Sequence, residues 1–230
     1  MMTDEHCISS VNILPEAVLK QLKSLDTSKS CGPDECHPML LKECANELYI
    51  PLTRLFTKSI KEGAIPEDWR KANITCIFKK GSKSEPGNYR PISLTSVVCK
   101  LLERTVKKTI YDHLKEHDLL SDGQYGFRDK RSTILQLLHV LEDWTMALED
   151  NQQVDNVYFD FAKAFDTVPH QRILLKLNAY GIRGNLASWV DSFLGNRKQR
   201  VVINGSQSAW TDVRSGVPQG SVLGPLLFVL

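Results

Sequence analysis

The residue in this chain best placed for chemistry is an aspartate on a short apolar stretch. In Val157-Tyr158-Phe159-Asp160-Phe161, the residues Val157, Phe159 and Phe161 fall on one face of a strand, and Tyr158, Asp160 and Ala162 on the other. One face can then join a core while Asp160 is held out on a rigid element, which is what a metal-binding carboxylate requires. A second candidate is the group Cys31, Cys36, His37 and Cys44, but its Cys-x4-Cys-His-x6-Cys spacing lacks the paired clips of common zinc modules. Ordinary buried or surface thiols are the favoured reading there. His113 and His117 stand four apart on a predicted helix, and with no third ligand they read as surface residues. Positive charge is clustered at Lys79, Lys80 and Lys83, at Lys107 and Lys108, at Arg128, Lys130 and Arg131, and at Arg197, Lys198 and Arg200. If folding gathers some of these on one face they form a phosphate-binding track; otherwise they are separate solvated faces.

The elements that must position these residues follow from periodicity and turn chemistry. Pro15 to Leu25 reads as a short amphipathic helix, and Pro38 to Glu62 as helical with a break or kink near Ile50, forced by Pro51. Asn73 to Phe78 reads as a strand, Lys79 to Asn88 as a basic loop, and Ser96 to Leu120 as a long helix whose apolar stripe begins at Val97, Leu101 and Leu102. Thr133 to Asp150 is a further amphipathic helix, with Ile134, Leu137, Leu138 and Leu141 at helical spacing. After the Asp160 strand, Asp166 or Thr167 is expected to cap a helix with Pro169 in its first turn. Asn185 to Leu194 is a short helix. Gln199 to Ile203 and Ala209 to Val213 flank Asn204-Gly205, a strong hairpin signal. The apolar run Ser221 to Leu230 is about half a membrane span and reads as a buried helix.

Four ordered segments then converge: Asn88-Tyr-Arg-Pro-Ile-Ser93; Gln124-Tyr-Gly-Phe-Arg128 with Arg131-Ser-Thr133; the Asp160 strand with its Ala164-Phe165-Asp166; and Ser215-Gly-Val-Pro-Gln-Gly-Ser-Val-Leu-Gly-Pro225. Together they resemble the reverse transcriptase domain of non-long-terminal-repeat, jockey-like retrotransposons, from about Ser30 to Leu230. The resemblance implies an α+β, right-hand polymerase with fingers and an incomplete palm, helix-rich with a small antiparallel sheet. The expected regions are a helical extension over 1–65, a fingers-like region over 66–150 and a partial palm over 151–230. It implies that Asp160 and the Phe161 carbonyl hold magnesium, two ions in the complete family site. Magnesium suits such a site because it takes oxygen ligands and substrate phosphates.

The resemblance also implies that Arg90 and one of Lys79 or Lys80 grip the nucleotide triphosphate, as guanidinium and ammonium groups are suited to do. Phe165 matches a steric gate against the ribose 2′-hydroxyl, with a core phenylalanine as the plainer alternative. For Asp166, helix capping is preferred to metal binding. Gln219 and Gly220 match the loop beside the incoming nucleotide, where glycine lets backbone approach closely. Arg128 and Arg131 match template-phosphate contacts. The implied partners are an RNA template, a DNA primer and a dNTP.

The chain departs from the family pattern in showing no Tyr-Ala-Asp-Asp hairpin. The expectation is therefore a truncated polymerase that is inactive by itself, with weak or absent magnesium binding. It is also expected to leave the helix near Ser221 short of sheet partners, so that Val222, Leu226, Leu227, Phe228 and Leu230 are exposed. The alternatives are a non-catalytic nucleic-acid-binding remnant and a decayed open reading frame. At 230 residues, 42% hydrophobic and 24% charged with a net charge of +2, the composition is that of an ordinary globular protein and names no partner by charge alone. With no signal-peptide pattern and no span-length apolar run, an intracellular location (nucleus or cytoplasm), reduced cysteines and no membrane association are expected.

Overall fold

A computed structural model describes residues 6–230. In chain order the helices and strands are α1 (Pro15–Lys23), α2 (Pro38–Glu43), α3 (Ala45–Glu62), β1 (Lys71–Phe78), β2 (Tyr89–Leu94), α4 (Val97–Glu116), α5 (Thr133–Glu149), α6 (Ala164–Thr167), α7 (His170–Ala179), α8 (Gly184–Leu194), β3 (Arg197–Ile203), β4 (Ser206–Gln207), β5 (Thr211–Val213) and α9 (Gly224–Val229). The strands form a small sheet in the order β2-β1-β3-β4, with β5 also paired to β3. β1 runs antiparallel to β2 but parallel to β3, with Lys71 opposite Lys198 and Ile74 opposite Val201. The sheet is therefore mixed, not purely antiparallel, and it joins a strand from the 66–150 region to one from the 151–230 region. The hairpin forms as its turn chemistry predicts: Asn204 (φ 48°) and Gly205 (φ 81°) supply the paired left-handed conformations of a tight turn.

Helices α1, α3, α4, α7, α8 and α9 enclose one core. Leu22, Phe56, Leu102, Ile110, Leu177, Leu186, Trp189, Phe193 and Leu226 all belong to it. Burial of each such side chain contributes about 1.5–3 kcal/mol, and polar ties fix the register. Trp189 Nε1 donates to Ser59 Oγ at 2.9 Å, and Arg70 donates to Ser192 Oγ at 2.8 Å and to the Gly195 carbonyl at 3.1 Å.

The structure corrects several expectations. The helical break falls at Cys44, and α3 runs on through Pro51. Burial of Leu52, Phe56 and Ile60 outweighs the roughly 3 kcal/mol that an interior proline costs. Asp166 and Thr167 do not cap a long helix: they lie within the single turn α6, and Pro169 itself is the N-cap of α7. His113 is buried, with Nε2 2.7 Å from the Tyr180 carbonyl, so it ties α4 to the end of α7. Among the described residues no group of three His, Cys, Asp or Glu side chains could hold a metal ion. His37 instead caps α2, accepting from Met39 N at 3.2 Å.

The terminal apolar run is not exposed. Leu223, Leu226, Leu227 and Leu230 are buried, and Val222 and Phe228 are half-buried. The run joins the common core, and Phe228 stacks on Phe165. Glu103 of α4 accepts from Val222 N and Leu223 N, and Lys176 of α7 donates to the Leu230 carbonyl.

The unpartnered apolar surface lies elsewhere. Helix α5 forms where expected, with Ser132 Oγ capping Leu135 N at 3.2 Å, but it buries none of its residues, and Ile134 is 71% exposed. Residues 152–161 form no strand, and Phe159 is 86% exposed. Alternation prepares a strand face, but only pairing of its N–H and C=O groups makes a strand. None of β1–β5 pairs with this stretch. No helix among the described residues is long and apolar enough to cross a membrane.

Candidate active site

A cleft of about 820 Å³ opens between the sheet and the loop that follows β5. Its floor comes from β1 and β3, through Ala72, Ile74, Cys76, Arg197 and Gln199. Its walls carry Lys79, Arg90, Lys163, Lys198 and Arg214, with Asp166 and Asp212 as the acidic members and Ser215, Gly216 and Gln219 along the loop. Basic side chains thus outnumber acidic ones, so the cleft favours an anion.

The loop 214–220 is held from three sides. Gly216 N donates to the Val168 carbonyl at 2.8 Å, Val217 N to the Phe165 carbonyl at 2.7 Å, and Ser215 Oγ to the Asp166 carbonyl at 2.9 Å. His170 Nε2 lies 2.8 Å from the Gly216 carbonyl. On the sheet side, Ser93 N donates to the Gln219 carbonyl at 2.7 Å. Across the cleft, Gln219 Nε2 reaches Asp166 Oδ1 at 3.3 Å. Glycine is required at both ends: a Cβ on Gly216 (φ 85°) would sit 2.5 Å from the Phe165 carbonyl oxygen, and one on Gly220 (φ 111°) 2.6 Å from that of Ser93.

Lys79, Arg90 and Gln219 come from three separate stretches of chain, and the cleft brings them together; Lys80 does not line it. Gly220 abuts β2 at its edge. Arg128 and Arg131 are spent on their own loop. Arg128 Nη1 donates to the Ser121 carbonyl at 2.5 Å, while Arg131 pairs with Asp122 at 3.1 Å and lies over the Tyr125 ring. Phe165 stacks on Phe228 at 4.6 Å and meets Phe127 edge-on at 5.9 Å, and it does not line the cleft. Asp160 and Phe161 are exposed and outside the cleft lining. Asp160 precedes the cleft residue Lys163 by three positions, so its Cα lies within about 11 Å of that wall. The oxygen donors it offers with the Phe161 carbonyl are of the type magnesium takes, yet too few to hold the ion without substrate phosphates and further carboxylates.

Lys163, Lys198, Arg214 and Asp212 were not foreseen as cleft residues. Lys163 adopts a left-handed backbone (φ 50°) that no side-chain pattern announces. Below the floor, burial pushes the Cys99 thiol well above its ordinary range; Glu103 adds to that push and Arg197 opposes it.

Residues 77–230 match the reverse transcriptase (RNA-dependent DNA polymerase) family. The chain belongs to that family. It is 33% identical over 93% of its length to the probable RNA-directed DNA polymerase from transposon BS of Drosophila melanogaster. It is 29% identical over 93% of its length to the RNA-directed DNA polymerase from mobile element jockey of Drosophila funebris. It is 30% identical over 72% of its length to the Pol polyprotein of the type-1 retrotransposable element R2 of Popillia japonica. The chain spans about a quarter of each of these relatives, 24%, 23% and 23%.

Proposed function

We propose that the cleft is the nucleotide-binding half of an RNA-directed DNA polymerase site of a retrotransposon, in a fold of fingers and partial palm. The reading is carried by the convergence of Lys79, Arg90 and Gln219 on one cationic cleft. Arg90 and Lys79 hold the triphosphate of a dNTP, and Gln219, oriented by Asp166, lies against the nucleotide. Asp160 and the Phe161 carbonyl would hold magnesium together with substrate phosphates and further carboxylates. When bound, that ion activates a primer 3′-hydroxyl and stabilises the leaving pyrophosphate. The RNA template and DNA primer run along the basic rim, through phosphate contacts that weaken with salt.

Cys76 provides the test, because it lines the cleft and is half-buried, whereas Cys99 is fully buried with its thiol pushed out of the reactive range. Alkylation followed by peptide mass analysis should show saturating dTTP slowing modification of Cys76 but not of Cys7, Cys31 or Cys44. Cys99 should stay unmodified until the chain unfolds. Arg90→Ala should raise the dTTP concentration needed for half-protection by roughly tenfold, the cost of about one charge-assisted hydrogen bond. An unprotected Cys76 at saturating nucleotide would remove the assignment.

Phe165 carries a separate prediction. If it gates the sugar, Phe165→Ala raises ribonucleotide incorporation in an active polymerase containing this chain. Its stacking on Phe228 makes a fall in melting temperature the accompanying result. Lower melting with unchanged sugar selectivity would leave it as packing alone.

A further inference from the structure

An ionisable side chain that the proposed nucleotide contacts do not use lies beneath the cleft. Glu103, on α4, is 0% exposed. A buried carboxyl group persists only where its partners offset the loss of water. Its Oε2 accepts from two backbone amides, Val222 N at 2.7 Å and Leu223 N at 3.0 Å. Both amides belong to the turn joining Gln219-Gly220 to α9. Ser221 tightens the same turn, its Oγ donating to the Pro218 carbonyl at 2.9 Å and accepting from Gly224 N at 3.0 Å. Glu103 Oε1 is buried without a hydrogen-bond partner, and so is Nη2 of Arg197, which is 3% exposed and forms part of the cleft floor.

An apolar residue of the same volume would fill this space at no desolvation cost, but it would leave the Val222 and Leu223 amides unpaired. The carboxyl group therefore has a specific task. We propose that Glu103 is a positioning residue for the loop carrying Gln219: it fixes the 221–223 turn and so sets where Gln219 and Gly220 stand over the cleft. The loop is then pinned at both ends of its approach, by Ser93 from β2 and by Glu103 from α4. The proposal rests on the reading that the cleft takes a deoxynucleotide.

The test uses the whole 230-residue chain. Glu103→Gln keeps the volume and replaces one acceptor oxygen with a donor. Amide hydrogen exchange at Val222 and Leu223 should accelerate about tenfold or more, while the amides of α8 keep their parental rates. The dTTP concentration that half-protects Cys76 should rise about tenfold with the melting temperature little changed, a combination that a general packing defect would not give. Unaltered exchange at the turn in a folded variant overturns the proposal, as does accelerated exchange with unaltered dTTP protection. Should Glu103→Gln lose its melting transition, Glu103→Asp, which withdraws the carboxyl by one methylene, decides by the same two readouts. If the parent chain shows no dTTP protection at all, the fault lies with the nucleotide assignment, and exchange at the turn alone decides whether the clamp exists.

Discussion

Asp160→Asn should abolish magnesium-dependent primer extension in a chimera where residues 6–230 replace the matching segment of the transposon BS protein. The chimera supplies whatever carboxylates the remainder of the relative contributes, and its unmutated form is the positive control. The substitution keeps shape and removes charge. A carboxylate that holds a catalytic ion supplies several kcal/mol of transition-state stabilisation. At 1.36 kcal/mol per tenfold, the expected loss is about a thousandfold or more in extension rate. Folding should be untouched, because Asp160 stands in solvent on a stretch outside the sheet. A melting temperature within about 2 °C of the parent is therefore part of the expected result, since exposed substitutions stay within ~0.5 kcal/mol. Extension that survives the substitution refutes the ligand role, whatever the family membership.

The Asp160 stretch also shows where sequence reasoning reaches its limit. The alternation of Val157, Phe159 and Phe161 correctly marks a two-faced segment, but a ladder needs a second strand, and alternation cannot say whether one is at hand. Helix α5 teaches the same lesson. Its boundaries follow from Ser132 and from the spacing of Ile134, Leu137, Leu138 and Leu141, yet periodicity reports that an apolar stripe exists and not what covers it. Where stripe and cover are both local to the chain, as for α4, α8 and the Asn204-Gly205 hairpin, sequence and structure agree. Strand β2 lies in a segment to which the sequence analysis assigns no element; its Pro91 is tolerated because β2 is an edge.

In the site, Arg90 and Gln219 stand in recognisable motifs, whereas Lys79 belongs to the basic loop 79–88, where the sequence leaves it and Lys80 as alternatives and only the fold brings Lys79 to the cleft. Asp166 was misread as a cap because its contact with Gln219 spans 53 positions, and no local pattern encodes that. Glu103 did leave a trace. It interrupts the apolar stripe Cys99, Val106, Ile110 on the inner face of α4, and a charge in such a stripe implies a buried partner.

The second large effect is structural and falls on Gly216. Two demands meet there. The backbone is left-handed at φ 85°, and an added Cβ would lie 2.5 Å from the Phe165 carbonyl oxygen and 2.7 Å from the Asp166 Cα and carbonyl carbon. These are backbone atoms of the α6 turn, so no side chain can swing aside to make room. Gly205 separates the two demands: at φ 81° it has the same conformation, but a Cβ there meets nothing within 4 Å. Gly205→Ala should therefore cost only the left-handed backbone, about 1–2 kcal/mol. Gly216→Ala adds the clash, which can be relieved only by parting the loop from α6 and losing the Val217–Phe165 and Gly216–Val168 hydrogen bonds. A further loss of about 2 kcal/mol or more follows from those bonds alone. At roughly 2–4 °C per kcal/mol for a chain of this size, Gly216→Ala should melt at least ~4 °C below Gly205→Ala. Because the displaced loop carries Gln219 away from Asp166, dTTP should also no longer protect Cys76 in Gly216→Ala, while Gly205→Ala retains protection. Equal melting temperatures and equal protection in the two variants would show that the loop does not depend on its close approach to α6, and the cleft geometry derived from that contact would fall with it.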